Sequence, residues 1–134
     1  REIMNKLLRV TFALVIVAMF SASVLQLFFA NYMGANSEYG ISLGWQREIA
    51  FWNLAIIPIL IAINIKYDWF FLRIILFSLI IGGMGFGTNH LLGFLEDSSK
   101  LTSLVGALEN YALVLCWIIG WGIEKKKRSK SFQA

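Results

Sequence analysis

Residues 81–111 read IGGMGFGTNHLLGFLEDSSKLTSLVGALENY. This stretch decides the fold. It joins the glycine-rich end of one apolar segment to the start of another through a short acidic loop, and it holds the only histidine, His90. The second apolar segment carries Glu109, where a bilayer would be. Outward from this hairpin, apolar residues come in runs too long for a strand alternation or a soluble amphipathic helix. Runs of about 18 or more indicate transmembrane helices. The 134 residues are 58% hydrophobic, against about 45–50% in a soluble domain. The expectation is an all-α, integral membrane four-helix bundle. Its helices cover about 7–30, 46–65, 69–92 and 101–123, in a single domain over 1–134 with a basic cytoplasmic tail, 124–134.

The first segment follows the basic start REIMNKLLR. It is longer than a signal-peptide core and lacks a small-x-small cleavage site, so a retained helix is expected. Ser23 and Gln26 share a helical face with Met19 and Ala30, which turns them toward the bundle. Residues 31–44, NYMGANSEYGISLG, form a polar, glycine-containing loop. Trp45 belongs at the interface where the second helix starts. In that helix Gln46, Asn53, Leu60 and Asn64 form a seam, and Pro58 frees the carbonyl of Leu54, which predicts a kink. Arg73, one turn into the third helix, can snorkel back to the interface. Gly83 and Gly87 are spaced for close helix approach, while the glycine run 82–87 could also bend the helix. Ser98 or Ser99 is the expected cap of the fourth helix. Trp117 and Trp121 lie near its far end.

Ten of the twelve Lys and Arg fall in the terminal segments and the 66–73 turn; only Arg47 and Lys100 fall elsewhere. The positive-inside rule then places both termini in the cytoplasm. The net charge of +4 comes from the tail KKKRSK, which reads as a topology anchor touching anionic membrane lipids, and no nucleic-acid partner is expected. Cys116 stands alone, so an internal disulfide and a cysteine metal cluster are excluded. With one His and no HExxH, no metal site is expected. No cofactor and no catalytic residue is assigned.

The candidate ligand- or proton-binding residues are Glu109, His90, Asn89, Asn110, Asn53, Gln46 and Glu48. Glu109 lies about 12 Å into the fourth helix at 1.5 Å per residue. An ionisable group at such depth is expected to face the protein interior or water. His90, Asn89 and Asn110 would share an outward-opening pocket with it, and Gln46, Glu48 and Asn53 enter the same leaflet. Tyr111, Trp52, Phe51 and Phe86 either line an apolar cavity or simply pack. Three functions stay open. The first is a non-enzymatic accessory or small-ligand-binding role, as a homo-oligomer or a membrane-complex subunit. The second is a proton-coupled oligomeric transporter using Glu109. The third is a membrane enzyme acting on a lipid or quinone with His90 and Glu109 as acid and base.

The polar start of the second helix, GWQREIAFWNLA, and the glycine-rich GMGFGTNHL of the third resemble the DoxX-like group of small bacterial membrane proteins. The resemblance implies a four-helix fold and a bacterial inner membrane. Some of that group look like accessory subunits of redox complexes. It implies no reaction.

Overall fold

A computed structural model describes residues 2–134; Arg1, one of the basic residues counted above, lies outside the described residues. Five helices follow one another: α1 (Lys6–Phe28), α2 (Ala30–Ala35), α3 (Leu43–Ile65), α4 (Trp69–Glu96) and α5 (Leu101–Gln133). Four of them, all but α2, are long and apolar enough to cross a membrane. The shorter ones have 23 residues, about 34 Å at 1.5 Å per residue against a hydrocarbon core of about 30 Å.

The helix boundaries follow local chemistry. Asn5 caps α1, its Oδ1 accepting from the Leu8 amide at 3.2 Å. Asp68 caps α4 through the Phe71 amide at 3.0 Å. Several expectations are corrected. The first helix stops at Phe28, and the loop 31–45 contains α2 and the first turn of α3. Neither Ser98 nor Ser99 caps α5: Ser99 instead gives its amide and hydroxyl to Asp97 Oδ1, and Lys100 stands at the cap position without a side-chain capping bond. The glycine run stays helical, and α4 continues to Glu96. The basic tail is not a separate segment, since α5 runs through it to Gln133.

The four long helices form two antiparallel pairs, α1/α3 and α4/α5, rather than one evenly packed bundle. Small residues set each pair's spacing. Ser23 Oγ donates to the Ala50 carbonyl across α1/α3 at 3.1 Å, and Ala50 is fully buried. Gly83 and Gly87 are buried against Val114, Trp117 and Tyr111 of α5. The pairs join through α1 and α5 at the end of the molecule that holds both termini. The core sits in that half: Leu8, Phe12 and Val15 of α1, Leu60 and Ile63 of α3, Leu72 and Leu76 of α4, Val114 and Trp117 of α5. At the other end the two pairs are tied by the segment after α2.

A Cβ at Gly83 would lie 2.5 Å from Val114 Cγ2, a β-branched group with little freedom, whereas one at Gly85 meets nothing within 4 Å. Gly83→Ala is therefore expected to destabilise by roughly 1–2 kcal/mol through overpacking. Gly85→Ala should be neutral or stabilising by about 0.5–1 kcal/mol because alanine favours helix. Thermal unfolding in detergent checks the opposite signs.

Candidate functional site

The polar centre of the loop end is built around Glu38, in the strap between α2 and α3. The strap turns sharply because Gly34 packs against the backbone of Gly40 and Ile41, where a Cβ would come within 2.7 Å of Ile41 Cα. Gly40 takes φ +71°, a conformation that glycine adopts without strain. This turn lays Glu38 across α4 and α5. Gly93 of α4 leaves the room: its Cβ would sit 2.5 Å from Glu38 Cγ.

The Glu38 carboxylate, with a side chain only 10% exposed, accepts from His90 Nδ1 at 3.0 Å through Oε1 and from the Ser103 hydroxyl through Oε2. An ionised carboxylate only accepts, so His90 carries its hydrogen on Nδ1. The imidazole lies over Gly106 of α5, where a Cβ would come within 2.9 Å of the ring. Next to it, the Tyr39 ring lies 5.8 Å from His90, and its hydroxyl accepts from Asn89 Nδ2 at 2.6 Å. The Asn36 carbonyl accepts from the Thr102 hydroxyl, and the Ala35 carbonyl from Lys100 Nζ at 3.3 Å. Burial pushes the Glu38 carboxyl up, but hydrogen bonds from Ser103, its own amide, His90 and Tyr39 hold it below its ordinary value. Burial first, and the Glu38 charge second, push the Tyr39 hydroxyl up to about 12.

Chemically this is a bridge, not a relay. In a serine nucleophile site the hydroxyl donates to the imidazole and the carboxylate lies behind it. Here Ser103 and His90 both face the carboxylate, so nothing activates the hydroxyl.

The remaining candidates are dispersed. Glu109 points outward: it is exposed on α5 and has no hydrogen-bond or ion-pair partner among the described residues. The expectation that it turns inward is corrected: its side chain is exposed and bonds to no other group among the described residues. The His90–Glu109 pair is therefore not formed, and His90 bonds to Glu38 instead. Asn110 bonds back to the Gly106 carbonyl of its own helix at 2.8 Å. Gln46 is buried and donates to the Ala30 carbonyl at 2.9 Å, while its Oε1, like that of Gln26, has no partner among the described residues. Glu48 is exposed, and Asn53 is half-buried. Of the seven candidates, only His90 and Asn89 enter the Glu38 cluster. Phe51, Trp52 and Phe86 are exposed, and Tyr111 packs on Gly87 with its hydroxyl 2.9 Å from Thr88 Oγ1.

A second polar centre closes the terminal end. Glu124 is 1% exposed. Its carboxylate accepts from the Asn5 amide at 2.9 Å, from Asn5 Nδ2 at 2.8 Å and from the Tyr67 hydroxyl at 3.0 Å, with Lys127 Nζ 3.6 Å away. Arg128 donates to the same tyrosine oxygen at 3.2 Å. No group of three or more His, Cys, Asp or Glu residues is placed to hold a metal among the described residues. Comparison with known protein families, curated proteins and solved structures gives no match.

Sequence reasoning missed Glu38, Ser103 and Tyr39. A signal was present: Glu38 is the only charged residue in the 31–45 loop, and an acid without a nearby cation in a membrane-side loop needs donors from elsewhere.

Proposed function

We propose that the chain is an integral membrane protein of non-enzymatic role, a subunit that works in lateral contact with other membrane helices. The observation that carries this reading is Glu109. Its carboxyl lies on an otherwise apolar surface of α5, beside exposed Val105 and Leu108. A carboxylate facing acyl chains in mid-span costs about 3 kcal/mol. Hydrogen-bonding groups of a neighbouring helix would remove most of that cost. The polar residues around Glu38 are already bonded to one another, which favours an accessory role over binding of a small ligand at that cluster.

The distribution of Lys and Arg supports a topology with both termini in the cytoplasm and the strap outside. A bacterial inner membrane, and kinship with DoxX-like proteins, rest on GWQREIAFWNLA and GMGFGTNHL.

Glu109→Leu is expected to weaken assembly by about tenfold, the value of one interhelical hydrogen bond in lipid. Glu109→Gln, which can still donate and accept, should keep assembly close to the parent's. Native electrophoresis and crosslinking in membranes read the difference. A Glu109→Leu protein that assembles like the parent overturns the subunit reading.

A further inference from the structure

We propose that the terminal end of the α4/α5 pair binds one anionic phospholipid, with its phosphate among Arg73, Lys125 and Arg128 and an acyl chain along α4. The inference rests on the membrane reading above but not on the subunit role.

A cleft of about 430 Å³ opens between α4 and α5, lined by Trp69, Arg73, Trp121, Lys125 and Arg128 among others. That is within the ordinary size range of ligand pockets and larger than a phosphate ion requires. The guanidinium carbons of Arg73 and Arg128 each lie 5.3 Å from the Trp69 ring centroid. Two cations lie against the same aromatic ring, and Lys125 adds a third to the cleft lining. Among the described residues the Arg73 and Lys125 side chains form no ion pair and no hydrogen bond. The carboxylates nearby are committed. Glu124 is turned inward to Asn5, Tyr67 and Lys127. Glu2 lies 3.5 Å from Arg128 on its own side. The cleft thus carries an excess of positive charge that an anion would balance.

The level fits a lipid phosphate. Arg73 stands four residues into α4, about 6 Å along the axis, and leans back over Trp69 toward the helix start. Trp69 and Trp121 occupy the place of an interfacial aromatic belt. Basic pockets between membrane helices at this level suit anionic headgroups.

A second groove, of about 340 Å³, decides between a lipid and a free phosphate. It shares Arg73 and Trp121 with the cleft and runs on along α4 over Phe70, Ile74 and Phe77. Those three side chains are all exposed. A soluble phosphate would leave this apolar track empty, whereas an acyl chain attached to the bound phosphate would cover it.

The test is native mass spectrometry of the detergent-solubilised full chain titrated with phosphatidylglycerol or phosphatidylcholine. One phosphatidylglycerol should be retained with about tenfold preference, and Arg73→Gln combined with Lys125→Gln should abolish that preference. Lys126→Gln combined with Lys130→Gln removes the same charge outside the cleft and should leave the preference intact. Equal losses in the two double variants overturn the site in favour of diffuse attraction to the tail. Glycerol phosphate should fail to displace the lipid at equal concentration; displacement would overturn the acyl-chain groove. Release of the chain from membranes by alkaline carbonate would overturn the membrane reading itself. Carbonate-resistant protein that shows no preference overturns the lipid site alone.

Discussion

Glu124→Ala is expected to lower the unfolding free energy by about 3 kcal/mol, as much as truncating a buried core residue. The carboxylate accepts three hydrogen bonds, two from Asn5 and one from Tyr67. Removing it leaves the Asn5 amide, the Asn5 carboxamide and the Tyr67 hydroxyl without their acceptor. Each orphaned donor costs about 1–3 kcal/mol when buried and less when water can reach it. Asn5 and Tyr67 are half-buried, so the total falls below the sum of three full penalties. Three elements come loose together, because Asn5 also caps α1, donates to the Gly120 carbonyl at 3.0 Å, and Tyr67 occupies the α3–α4 turn. Glu124→Gln keeps one acceptor oxygen but turns an amide toward donors, so about half the loss is expected. Chemical unfolding in detergent micelles, followed by tryptophan fluorescence, measures both.

The four long apolar helices were legible because apolar runs of about 18 or more residues have few other readings in a sequence. Their ends were less so. Helix α5 was expected to stop where Glu124 and the lysines begin, on the reasoning that charge marks the end of a span. Charge marks where the lipid ends, not where the helix does. Lys, Arg and Glu are good helix formers, so α5 runs on through them to Gln133. The pairing of α1 with α3 and α4 with α5 was half visible: GxxxG at 83–87 announced a close neighbour but could not say which. Glu124 was read as a boundary marker because its partners, Asn5 and Tyr67, lie 119 and 57 residues away. The same distance hid Glu38, 52 residues from His90 and 65 from Ser103. Glu109 failed for a different reason. Depth in a span was legible, but the facing direction was not, because α5 presents apolar residues on every side and gives no amphipathic pattern to orient it.

Glu38→Ala is expected to release the strap while leaving the helices in place. The mutation removes the acceptor of His90 and Ser103 and empties the slot over Gly93. What then remains of the strap's attachment includes the exposed Thr102, Lys100 and Asn89 hydrogen bonds and the Tyr39–His90 ring contact. A loss of about 2 kcal/mol at the loop end is expected. The core lies in the other half of the molecule, so global unfolding should move little. Hydrogen exchange at residues 36–41 should rise several-fold, and proteolysis from the strap side should appear.

The pH dependence gives an independent check on Glu38. Its carboxyl is held below its ordinary value of 4.5, so the strap's stabilisation is complete above that pH and fades as pH falls through the lowered folded value. Tyr39 is raised from 10.0 to about 12. Its contribution is therefore present below pH 10 and fades as pH rises toward 12. Protection of the strap should form a plateau between these limits. Glu38→Gln should abolish the acid edge, since no carboxyl remains to protonate, and should also weaken the alkaline one, since the Glu38 charge contributes to raising Tyr39. An acid edge that persists unchanged in Glu38→Gln would mean that another group holds the strap. The exposed carboxylates of Glu96 and Asp97 at the end of α4 are the nearest in sequence to Gly93. Asp97 is itself held low by Ser99, so Asp97→Asn then identifies or excludes it.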